Sequence, residues 1–188
     1  MKNMLIRVCL LVMIAVMALS CTALGETAPD ADPALDMAAE VAAKVDFTQY
    51  PEAFSEWNVA YLKMYLRDVG IMENNSWVFD ITEGDLNATG ASAGVMYIDT
   101  EAGSVMDMIF FFDVNEGEAK EAALQTVRDT QAITPDVEGA FPTPMDAMLG
   151  GFCFSYTMGM DEDHMTIVRA AIYALANHFE IEPDFVFQ

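Results

Sequence analysis

Between residues 77 and 113 the apolar residues stop recurring every three or four positions and begin to alternate, and that change of period sets the fold class. Trp77, Phe79 and Ile81 alternate with Val78, Asp80 and Thr82, the period-two pattern of a strand. A turn-rich stretch from Glu83 to Ser92 leads to a second strand, Ala93 to Asp99. The short connection Glu101-Ala102-Gly103-Ser104 then turns the chain into a third strand, Val105 to Asp113. These three make an antiparallel meander.

On either side the period is helical. Asp32 as N-cap and Pro33 at the first helical position predict an Ala-rich helix over Ala34 to Val45. Pro51 opens a second helix, with Phe54, Trp57, Tyr61, Met64 and Tyr65 at helical spacing and Gly70 as its stop. Asn115 followed by Glu118 reads as a capping-box variant opening a helix to about Gln131. A connection of about 18 residues follows, long for a compact domain, with a short turn from Thr143-Pro144 to Gly150-Gly151. Phe152 to Met158 is a fourth strand. Asp161 caps the last helix, and Met160 and Met165 staple its start. Met165, Val168, Ile172, Leu175, Ala176 and Phe179 form its apolar stripe, Pro183 ends it, and Phe185 to Phe187 suits a short edge strand. The order predicts an α+β fold: an antiparallel sheet of about four strands, the three-strand meander plus one, with helices packed on one face.

The N-terminus has a separate logic. Lys2 and Arg7 precede an unbroken apolar run of twelve residues, Val8 to Leu19. A membrane span needs ~20, so residues 1–25 read as a cleavable signal peptide. Ala23-Leu24-Gly25 places small side chains correctly for a cut before Glu26. The alternative cut precedes Cys21, with Ala18-Leu19-Ser20-Cys21 as a lipobox and Cys21 carrying lipid. Residues 26–33 then form a flexible tether and 34–188 one α+β domain. Either cut predicts an extracytoplasmic protein, secreted or anchored to the membrane through the lipid on Cys21 alone.

All 30 acidic residues follow Gly25, while Lys2 and Arg7 leave with the signal, so six basic residues face 30 acidic ones and the mature charge is −24. With no basic patch to neutralise phosphates, nucleic acid is excluded as a partner, and an anionic membrane repels the domain. Copies of the chain and other proteins or small molecules stay open as partners. The mature chain keeps Cys153 with no second structural cysteine, so no intramolecular disulfide forms; its place in an apolar strand suits a small buried hydrophobe.

Strand parity supplies the candidate site. Met106, Met108, Phe110 and Phe112 share one face of their strand, as do Phe152, Phe154, Tyr156 and Met158; these are expected to meet the helices. The reverse face, with Val78, Asp80, Asp107, Ile109, Phe111, Ser155 and Thr157, is expected to be open and to form an interaction surface. No catalytic or metal motif stands out. The paired methionines beside phenylalanines read as core packing rather than a Cu(I) site. Asp161-Glu162-Asp163 lacks the glycine and terminal glutamate of a calcium loop. His164 and His178 lie fourteen residues apart, about 21 Å along one helix, too far to share a metal. No cofactor is expected. The sequence therefore predicts an exported, non-catalytic binding or protein-interaction module. The alternatives are an extracytoplasmic hydrolase with an Asp/Glu site outside known motifs, and an acidic divalent-cation binder.

Overall fold

A computed structural model describes residues 32–72, 77–98, 106–156 and 162–187. The chain is α+β, built on a six-stranded antiparallel sheet rather than four strands. In chain order the elements are α1 (Pro33–Ala42), α2 (Val59–Asp68), β1 (Trp77–Asp80), α3 (Glu83–Thr89), β2 (Ala93–Ile98), β3 (Met106–Phe111) and α4 (Glu118–Thr130). They continue as β4 (Ala132–Ile133), β5 (Thr143–Pro144), β6 (Ala147–Leu149), β7 (Phe152–Ser155), α5 (Glu162–His178) and β8 (Phe185–Val186). The main sheet runs β1-β2-β3-β7-β6-β8, and β4 and β5 pair as a separate ribbon. Among the described residues no helix is long and apolar enough to cross a membrane.

Local chemistry explains where the elements differ from their sequence outline. The second helix begins at Asn58, whose side chain accepts hydrogen bonds from Ala60 N and Tyr61 N at 2.9 and 3.3 Å. The aromatic stretch before it forms 3-10 turns at Phe47–Gln49 and Phe54–Glu56 instead. The stretch after β1 holds α3, because the Thr82 hydroxyl accepts from Asp85 N and Gly90 closes the helix in the left-handed region at φ +75°. The Asn115/Glu118 capping box does not form. Asp113 instead caps a 3-10 turn at Val114–Glu116, and α4 starts from Gly117 without a side-chain cap. The expected cap and staple at Asp161 and Met160 lie outside the described residues, as do the expected signal peptide and Cys21.

Helices cover both faces of the sheet, not one. On the first face, Val95, Tyr97, Ile109, Phe152 and Phe154 pack against α1, α2 and α5 in one core. Small residues set the spacing there: Ala34, Ala38 and Val41 of α1 meet Ala170, Ala171 and Ala174 of α5. On the second face, Leu124 and Val127 of α4 and Leu86 of α3 cover Phe110, Phe112, Met148 and Cys153.

This overturns the expected parity. Cross-strand partners point the same way, and the register pairs Ile109 with Phe154 and Phe111 with Phe152. The side chains expected outside are therefore under the helices. Ile109 and Asp107 are buried, Val78 is half-buried in the same core, and Asp80 shares their face but is exposed. Ser155 is buried on the opposite face, opposite Met108, so the proposed set does not form one surface. Thr157 lies outside the described residues. The physical reason is that β3 is apolar at both parities, as a strand covered on two faces must be.

Candidate functional site

A cleft of about 380 Å³ lies where β3 ends and the β6–β7 hairpin turns. Its walls are aromatic. Phe111 stacks on Phe152 with centroids 4.6 Å apart, and Phe54 meets Phe152 at 5.8 Å and Trp57 at 5.8 Å. Phe179 buttresses the pair from behind, at 5.3 Å from Phe54 and 5.4 Å from Trp57. Phe112, Val114, Leu124 and Ile181 complete the apolar lining.

The hairpin makes the close fit possible. Gly150 adopts φ +56°, and a Cβ there would sit 3.0 Å from Phe54 Cε1. At Gly151 a Cβ would lie 2.6 Å from the Phe112 carbonyl oxygen, closer than real Cβ contacts allow. Only glycines let β6 and β7 turn against these rings. The Gly151 carbonyl in turn accepts from Phe112 N at 2.9 Å, extending the β3–β7 pairing into the cleft wall.

Polar groups stand at the rim. Arg128 donates from Nε to Asp184 at 2.7 Å and from Nη1 to Gln125 at 3.2 Å, which fixes the guanidinium plane. Asp113 accepts from Asn115 N and Nδ2, both at 2.9 Å. Ser55 and Asn115 are exposed beside it. An apolar floor with a few convergent polar groups is the usual form of a small-molecule site, and 380 Å³ is within the usual ~300–1,000 Å³.

Other polar constellations are tied into the fold. His164 Nε2 lies 2.8 Å from Asp107 Oδ2, which explains how a carboxylate is tolerated in the middle of an apolar strand. A cavity of about 10 Å³ adjoins Asp107, room for one water at most. Asp32, buried, accepts from Ala34 N at 3.0 Å and from the Tyr173 hydroxyl at 3.2 Å, and it pairs with Arg169 at 3.4 Å. Asp146 Oδ2 accepts from Tyr156 N at 2.7 Å. Burial raises the hydroxyl pKa of Tyr65 and of Tyr156, the second helped by the nearby Asp146 carboxylate. Burial likewise pushes the Cys153 thiol up to about 12, so it is no ready nucleophile. Among the described residues no three His, Cys, Asp or Glu side chains converge as a metal site would require. A more open depression of about 340 Å³ beside Asn87, Thr126 and Asp136 has no aromatic wall.

Of the described residues expected to form a site, only Phe111 contributes to the cleft. Phe54, Trp57, Gly150, Gly151 and Arg128 are drawn from three separate stretches of chain, and sequence spacing alone does not unite them. The one local signal is the Gly150-Gly151 doublet between two apolar runs, the mark of a close backbone approach. No protein-family model matches the chain, and no curated protein or solved structure shows significant similarity to it.

Proposed function

We propose that this chain is an exported binding module that takes a small organic ligand, with an aromatic or branched apolar body and a polar end, into the cleft beside the β6–β7 hairpin. The cleft itself carries the reading: five aromatic side chains, two glycines that let them close, and one guanidinium and one carboxylate at the mouth. Burial of the body supplies affinity at ~25 cal/mol per Å² of apolar surface, and the rim groups orient the polar end. The leader-like residues 1–25 support an extracytoplasmic location for the module.

The chain's two tryptophans make the test direct. A Trp77→Ser/Phe79→Ser background removes the exposed aromatic pair and leaves Trp57, in the cleft wall, as the single indole. Titration with anilinonaphthalene sulfonate, an aromatic body with one anionic group, is expected to show saturable energy transfer from Trp57. Adding Ser55→Phe, which fills the mouth, is expected to weaken binding at least about tenfold, or ~1.4 kcal/mol. Equal binding with the mouth filled would refute the assignment.

A further inference from the structure

Among the described residues, the second face of the sheet is covered at one end only. Over β3 and β7, α4 seats Leu124 and Val127 on Phe110, Phe112 and Cys153. Toward β1 the same face carries two rows of three large apolar side chains, fixed by the strand register: Trp77, Ile98 and Met106, then Phe79, Met96 and Met108. None of the six is buried. Trp77 is 61% exposed and Phe79 46%. Five of them join neither core, and Met108 touches only the margin of the second.

The dimensions point to a particular occupant. Three strands at ~4.8 Å spacing make a strip about 10 Å wide, the width of one α-helix. The strip lies beside α4 on the face that α4 already serves, so a second helix fits there as α4 does. Methionine suits such a contact, because its flexible thioether adapts to varied apolar partners. Charge selects the polar side of the occupant. α3 flanks the strip with Glu83 and Asp85 exposed in its first turn, and the whole chain carries −22. A second copy of so acidic a chain would bring like charges together; a basic helix would not.

We infer that the open strip of β1, β2 and β3 docks an amphipathic, lysine- or arginine-rich helix of a partner protein, apolar face down. The probe is an 18-residue helical Leu/Lys peptide, with its Leu/Glu counterpart as control, titrated at 0.15 M salt. Trp77 reports contact by a blue shift, while buried Trp57 supplies a constant background. Saturable binding of the Leu/Lys peptide is expected, at least tenfold tighter than the Leu/Glu peptide. A Phe79→Ser/Met96→Ser variant, unchanged in net charge, is expected to lose at least tenfold in affinity; Ile98→Ser serves as a second variant should the first melt early. The cleft-filling Ser55→Phe variant is expected to bind the peptide like the parent, which separates this surface from the proposed ligand cleft. Equal affinity of parent and both strip variants would reduce the binding to diffuse charge attraction and overturn the inference. Equal binding of the two peptides would do so as well. A dimer in sedimentation equilibrium without peptide, abolished by Phe79→Ser/Met96→Ser, would overturn it in favour of a second copy.

Discussion

Asp32→Ala tests whether the first described residue anchors the fold. Its carboxylate caps α1 through Ala34 N, accepts from Tyr173, and lies 3.4 Å from Arg169 on α5. The two side chains are only 2% and 11% exposed, so solvent screens the pair little. Arg169 has few other partners: Thr166 Oγ1 at 3.3 Å, and a buried Nε with no hydrogen bond among the described residues. Removing the carboxylate costs ~1 kcal/mol as a lost cap and ~3–5 kcal/mol for a buried charge left without its counter-ion. The total, ~4–6 kcal/mol, is a large share of the ~5–15 kcal/mol that stabilises a typical domain. The double variant Asp32→Ala/Arg169→Met keeps the cap loss but removes the stranded charge, so it is expected to recover ~2–4 kcal/mol. Urea unfolding followed by far-UV circular dichroism reads both. With m of ~2 kcal/mol/M, the single variant is expected to lose ~2 M or more in midpoint. A single variant within ~1.5 kcal/mol of the parent, or a double variant no better than the single, would refute the reasoning.

Leu175→Ala and Ile172→Ala, both at sites 1% exposed in the core under α5, are expected to cost ~2–5 kcal/mol each, whereas exposed Glu162→Ala stays within ~1 kcal/mol; the same urea series decides it, and parent-like unfolding of both core variants would make α5 peripheral. For Cys153 the unfolded thiol titrates near 9.0 and the folded one near 12. The unfolded chain thus sheds its proton first as pH rises, so this group's contribution is complete below pH 9 and declines progressively toward pH 12. Urea midpoints falling more steeply above pH 9 in the parent than in Cys153→Ala would show it, together with slow native labelling by a thiol reagent that accelerates on unfolding; fast native labelling at pH 8 would contradict the burial.

The sequence and the structure agree where local chemistry is sufficient. The period change at Trp77, the meander of β1, β2 and β3, and the apolar stripe of α5 are all written in consecutive residues. Disagreement begins where the answer depends on a distant partner. β3 reads Met-Asp-Met-Ile-Phe-Phe, apolar at both parities, and only the register against β7 says which side meets α5. Asp107 looks like a mark of solvent until His164, 57 residues away, is found beside it. β6 is only three residues long and was hidden in a connection with no periodicity to display. The cleft was least legible of all, since its walls come from separate turns and its glycines matter only against the rings they admit.

The contact between α1 and α5 also bears on when the chain can fold. Asp32 and Arg169 are 137 residues apart, and the Tyr65 hydroxyl on α2 donates to the Ala171 carbonyl at 2.7 Å across a separation of 106. Two of the three helices on that face thus wait for the third, which is made last. Closing such long loops is slow, and nothing rewards it until both ends are present. A chain threaded N-terminus first through a narrow channel would stay unfolded until its final segment emerged. Sequence distance here acts as a timer: the last segment to be made decides when this face of the sheet can close.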